Sequence, residues 1–254
     1  QSLNIPEESF LRLSVGGGGN TATTMEKGLT YYGGGDDDFW GYDDGTRKMP
    51  RELRQAIATG KRVDRNHFSN EELARIGRRL ENASVNVLQE NDSIDPDVDF
   101  GFSAGYATDM GEDARLGFVA VAGFENQWRT LFGDQEQGVF LGDDQQTLAY
   151  ANDYEFLATR NNARVNAMLG AGYEWGRNRI DLTTLYVHDT LKEARSRAGM
   201  DYISNYGYRE DDTRWFERGM ISNQISGSHA FGEYDDLKIE WRAAWARATR
   251  DVPY

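Results

Sequence analysis

The residues best equipped for chemistry in this 254-residue chain crowd into one acidic, aromatic stretch. Asp36, Asp37 and Asp38, followed by Asp43 and Asp44, could offer carboxylate oxygens to Ca²⁺, which takes about six to eight oxygen ligands. Their spacing is not that of the ~12-residue EF-hand loop. The plainer alternative is a solvated acidic loop, or a loop pinned by a contact between an Asp and Arg47. The same stretch carries Tyr31, Tyr32, Phe39, Trp40 and Tyr42, whose ring faces could stack on a sugar or a flat chelate. Packing of Phe39 and Trp40 against a neighbouring surface is the commoner use of such rings. Tyr202, Tyr206 and Tyr208 form a later aromatic group, and Asp143 with Asp144 a further acidic pair. The ligand-contact candidates are therefore Tyr31, Tyr32, Trp40, Tyr42, Asp43, Asp44, Arg47, Tyr202 and Tyr206.

Catalysis finds little material. His67, His188 and His229 are scattered, and none belongs to an HExxH pair. No GxSxG, Walker or dinucleotide fingerprint occurs; the GGGG run at Gly16 lacks both the order and the following helix. Glu217 with Arg218, or Glu240 with Arg242, read more readily as charges alternating on a strand than as acid/base pairs. The sequence therefore points away from an enzyme and calls for no cofactor. With 42 acidic against 28 basic residues and a net charge of −14, nucleic acid is excluded as a partner. The absence of cysteine removes disulfides and thiolate chemistry. It also removes a lipidated cysteine, which places a surface lipoprotein last among the readings.

The elements that must position these groups are strands. The chain has 28 glycines, four prolines and 12 % aromatics, a profile suited to sheets of small and aromatic residues. Six stretches after residue 97 alternate with period two. Val98–Tyr106 sets Phe100 and Phe102 against Asp99 and Ser103; Leu116–Phe124 sets Phe118 against Val119. Val165–Trp175 sets Leu169 and Tyr173 against Asn166 and Glu174. Leu237–Ala246 sets Ile239, Trp241 and Trp245 against Lys238, Glu240 and Arg242. Arg179–Ala194 and Trp215–Phe231 alternate less cleanly and are strands by context. Tight polar turns at Met110, Trp175 and Phe231 alternate with connections expected to be long, Arg129–Asn152 and Arg195–Arg214. Short turns at one end and elaborate loops at the other are how membrane β-barrels are built. Before residue 98, one bulged strand is expected at about 9–33 and a long outer loop at about 34–97. That loop holds two short helices, one behind Pro50 and one behind the Ser69/Glu72 capping box. No run reaches the ~20 apolar residues of a membrane helix, whereas a membrane strand needs only ~9–11.

Four segments, in order, carry a family likeness: the strand and loop ESFLRLSV…GGGDDDFWGYDDGTRKMP, then ELARIGRRL, RWFERGMISNQISGSH and LKIEWRAAWARATRDVPY. They resemble the barrel portion of TonB-dependent outer-membrane receptors over nearly the whole chain. The resemblance implies an all-β, antiparallel, up-and-down transmembrane β-barrel, of which this chain is a fragment of about seven strands, without the plug. It further implies uptake of a scarce nutrient such as a siderophore or oligosaccharide, outer-membrane lipid around the strands, and the TonB complex as partner through a plug lying outside this sequence. On that expectation Val165, Leu169, Leu237, Ile239, Trp241 and Trp245 meet lipid, and Asn166, Glu174, Lys238, Glu240 and Arg242 meet plug or water. The alternative is a soluble secreted β-sandwich that binds glycans through its acidic and aromatic loops.

Overall fold

Alternating side chains leave a strand's backbone groups free to pair on both edges, and the computed structural model joins them in one continuous antiparallel ladder. The structure describes residues 6, 8–31, 33–80, 87–138, 140–142, 148–232 and 237–252; Tyr32, Asp143 and Asp144 lie outside them. The main strands are β1 (Phe10–Gly18), β4 (Asp97–Asp109), β5 (Ala114–Gln137), β8 (Asn152–Trp175), β9 (Asn178–Asp201), β10 (Tyr206–Phe231) and β11 (Leu237–Asp251). They form a seven-stranded up-and-down sheet in that order. Short pairs β2 (Gly28–Tyr31) with β3 (Leu88–Asn91), and β6 (Phe140–Leu141) with β7 (Leu148–Ala149), sit in the two longer connections. The protein is thus all-β apart from helices α1 (Arg51–Ala58) and α2 (Asn70–Arg79) and a turn of 3₁₀ helix at Asp38–Trp40. Helix α2 starts as its sequence dictates: Ser69 accepts from the Glu72 amide while Glu72 accepts from the Ser69 amide.

Two expectations change. The stretch 9–33 is not one strand. β1 leaves its ladder with β4 at Gly18, the chain turns at 20–25, and Gly28–Tyr31 pairs instead with β3. The glycine run offers no side chains to hold the strand in the sheet. Gly28 also permits an approach no larger residue would, since a Cβ there would fall 2.8 Å from both Ile94 and the Thr159 hydroxyl. The connections expected at Arg129–Asn152 and Arg195–Arg214 are mostly strand. The turn between β9 and β10 is only Tyr202–Asn205, and β5, β8 and β9 each run for 24 residues. At ~3.3 Å per residue each is about 80 Å long. The halves of β9 and β10 next to their shared turn are joined by cross-strand ion pairs, Arg195 with Asp212 at 3.1 Å and Arg197 with Glu210 among them.

Every pairing keeps a single register from end to end, so parity alone assigns each side chain to one of two faces. One face is charged along its length: Arg164 meets Asp189 at 3.3 Å and Arg179 meets Glu174 at 2.6 Å, with Glu193 buried between Arg160 and Arg214. The other face carries a band of apolar residues toward the tight turns. Its rows include Phe100, Phe124 and Val165; Phe118, Ala171, Leu182 and Ile225; and Tyr173, Ile180 and Trp241. Leu13, Leu169 and Trp245 are 74, 60 and 58 % exposed on it. About seven strands at ~4.8 Å spacing and a ~33 Å run along each make a mainly apolar surface on the order of 1,000 Å², interrupted by Thr184, Asn223 and Arg247, against the ~300–600 Å² of a typical soluble monomer's largest patch. The sequence-assigned pairs fall as expected, Leu169 and Trp241 on this face, Asn166, Glu174 and Arg242 on the charged one. Among the described residues no helix is long and apolar enough to cross a membrane.

Candidate functional site: a strap across the sheet

Above the apolar band, the acidic aromatic stretch lies down on the same face. Asn126 of β5, Ala163 of β8, Thr190 of β9 and Glu217 of β10 are mutual partners in the ladder and so form one row across four strands. Residues 39–43 follow that row. Asn126 Nδ2 donates to the Phe39 carbonyl at 2.8 Å, His188 Nε2 and the Thr190 hydroxyl both donate to the Gly41 carbonyl, and the Asp43 amide donates to Glu217 at 2.9 Å. Since a carbonyl can only accept, the His188 proton sits on Nε2. Tyr42 stacks on His188 with ring centres 4.0 Å apart, and its hydroxyl bonds that of Tyr186 at 3.0 Å. Burial, then that hydrogen bond, push the Tyr42 phenol above its ordinary range.

Gly41 makes the close approach possible. Its φ is +81°, and a Cβ there would lie 2.9 Å from that of Ala163 and 3.1 Å from that of Thr190. Gly41→Ala should therefore cost about 1–3 kcal/mol of strap docking, from a left-handed non-glycine residue plus overpacking. Faster amide exchange at 41–43 in the variant is the expected reading; unchanged exchange would contradict this geometry.

Arg47 fastens the far end. Its guanidinium grips both carboxylate oxygens of Asp38 at 2.6 and 2.7 Å, reaches Asp43 at 3.4 Å, and donates to the Tyr31 hydroxyl at 3.1 Å. It lies over the Trp215 ring, 3.9 Å from its centre, and is only 3 % exposed. Lys192 adds a contact to Asp38 at 3.1 Å. Burial raises the Tyr31 phenol to about 12 although Arg47 pulls it down. For Asp38, burial acts upward, but hydrogen bonds and charge from Arg47 and Lys192 outweigh it and hold the carboxyl below its ordinary 3.8. A carboxylate depressed by folding contributes stability that is complete above its unfolded value and is lost as pH falls through the folded one. Strap release, followed by protease cleavage within 48–65, is accordingly expected only below about pH 4, and release beginning between about pH 5 and 7 would contradict it.

The structure thus gathers Tyr31, Tyr42, Asp38, Asp43 and Arg47 and uses contacts from each of them to hold the strap. Asp44 is exposed and caps the local turn through Thr46. The calcium candidates Asp36, Asp37 and Asp38 do not converge: Asp38 is neutralised by two cations, and no three acidic or histidine side chains among the described residues are placed to hold a metal. Trp40, with Phe39, packs on Phe124 at 4.7 and 5.4 Å, yet each ring remains 47 % exposed. Tyr202 and Tyr206 are apart from all of these, exposed at the β9–β10 turn. The sheet's contributors, Asn126, Thr190, Lys192 and Trp215, carry no local sequence signal, because only the register of four strands brings them into neighbouring rows. No family model, curated protein or solved structure matches the chain.

Proposed function

We propose that the sheet is a wall segment of an outer-membrane β-barrel receptor that binds a scarce nutrient, such as a siderophore or oligosaccharide, and imports it with energy from TonB. The observation that carries the membrane part is the two-faced sheet. An exposed apolar band covers one face while ion pairs line the other, the arrangement of a barrel with lipid outside and water or plug within. The band's dimensions fit. From Val165 to Trp175 β8 rises about 33 Å, which at a tilt of ~40° is about 25 Å, the height of a barrel's apolar belt.

Both edges of the sheet support the same reading. β11 is exposed at every position and, like β1, has one neighbour among the described residues. Long regular edges of this kind call for further strands. The nutrient-facing surface is then the charged face, where Arg197 lies over the rings of Tyr154 and Tyr208 at 5.2 and 5.9 Å near the outer turn that carries Tyr202 and Tyr206. The sandwich alternative requires a second sheet over the apolar band, where Phe118 and Leu169 are 46 and 60 % exposed among the described residues.

Fractionation of the producing cell tests the reading. The protein should sediment with outer membranes and need detergent for extraction. Recovery in a soluble fraction would overturn the proposal. Depletion of nutrients from the medium, compared between producing and non-producing cells with and without TonB, tests energy coupling, and depletion that persists without TonB would remove that part.

A further inference from the structure

The strap runs on the face that holds the apolar band, not on the charged face, and this placement has a consequence that rests on the membrane reading above. We infer that Phe39 and Trp40 are an interfacial anchor, set by the strap into the outer boundary of the bilayer on the lipid side of the wall, with outer-leaflet lipid as their partner.

Phe124 belongs to the top row of the band, next to Phe100 with ring centres 6.1 Å apart. Phe39 and Trp40 sit on Phe124 and on each other, their own centres 5.0 Å apart, and so continue the band upward with two half-exposed rings. At the other end of the band Tyr173 stacks on Trp175 at 5.0 Å, and Trp241 donates to His229 at 3.1 Å. The apolar surface is therefore bordered by aromatics at both ends, as interfacial belts are, but the upper border over β5 comes from a connection and not from a strand.

A loop can lie at the edge of hydrocarbon only if its polar backbone groups are satisfied within the protein. The Phe39 and Gly41 carbonyls and the Asp43 amide are taken by strand side chains, and the Trp40, Gly41 and Tyr42 amides bond to the carbonyls of Asp37 and Asp38. The nearby charges of Asp38, Asp43 and Arg47 are turned onto the sheet and neutralise one another. At 39 and 40 the two half-exposed rings face outward, with exposed Asp36 and Asp37 just before them.

Because the chain has no cysteine, single nitroxide labels can be placed on it one at a time. The protein, reconstituted in phosphatidylethanolamine and phosphatidylglycerol vesicles, is labelled at Phe39→Cys, Trp40→Cys, Leu169→Cys or Lys48→Cys. Collision with oxygen is compared with collision with a water-soluble nickel chelate. Labels at 39 and 40 should show an oxygen-to-nickel ratio several-fold above that at 48 and below that at 169. Ratios at 39 and 40 equal to that at 48, with 169 still deep, would overturn the anchor and leave the membrane reading standing. A water-exposed label at 169 would overturn both. Trp40→Phe, which keeps a ring in place, gives a second reading: brominated lipid should quench a smaller share of the tryptophan fluorescence than in the parent, and an unchanged share would overturn the anchor.

Discussion

Arg47→Ala should release the strap. The substitution leaves Asp38 and Asp43 beneath the strap without their main counter-charge and strips the face of Trp215. Breaking a buried pair by removing one partner costs about 3–5 kcal/mol, because the remaining charge stays desolvated. Part of that is recovered when the strap lifts and its carboxylates reach water, so the open population should rise by up to ~100-fold, the equivalent of about 3 kcal/mol. Amide exchange at 39–47 reads it directly, as does cleavage at Lys48 and Arg51. Arg47→Lys keeps the charge but loses the two-pronged grip on Asp38 and the flat stack on Trp215, and should fall between the parent and alanine. Arg47→Ala with parental protection would show that the hydrogen bonds from Asn126, Thr190 and Glu217 hold the strap unaided.

The second large effect separates the two faces of one strand. Leu169 and Asn166 are three residues apart on β8 and, by parity, on opposite sides of the sheet. If the band meets lipid, Leu169→Arg places a cation near the bilayer midplane at about 2–4 kcal/mol. Asn166→Arg joins a face already lined with paired charges and should cost much less. Urea unfolding of the protein in vesicles gives both values. Equal costs would refute the assignment of faces.

Where residues of contrasting polarity alternate, the sheet was legible in the sequence: Phe100 against Asp99, Leu169 against Gly170 and Trp241 against Arg242 give faces that the ladder reproduces. The outer halves of β9 and β10 were not legible. Arg195, Arg197, Glu210 and Asp212 share one face, and polar or small Ser196, Ala198 and Asp211 occupy the other, so hydrophobic periodicity is silent and a loop is the natural expectation. Those strands are specified by pairs of charges between strands, information that appears only once a register exists. The helices were readable because caps are local: Pro50 precedes α1, Gly60 follows it at φ +70°, and Ser69 with Glu72 opens α2.

The strap shows the same division. That an Asp contact could pin Arg47, and that Phe39 and Trp40 could anchor a loop, follows from residue types close in sequence. That the anchor lies along one row of four strands does not, because Asn126, Ala163, Thr190 and Glu217 are spread over 92 positions and meet only through three registers that each run without a bulge.

A cysteine scan of β8 from Ala163 to Glu174 tests the central claim most directly, since the chain supplies no cysteine of its own. In the producing cell, each variant is treated with a charged, membrane-impermeant maleimide. The account predicts a period of two from 165 onward, with even positions reactive through the water-filled side and odd positions protected by lipid, and Ala163 shielded beneath the strap. Uniform reactivity, or protection at the even positions, would contradict a sheet whose apolar band faces the membrane.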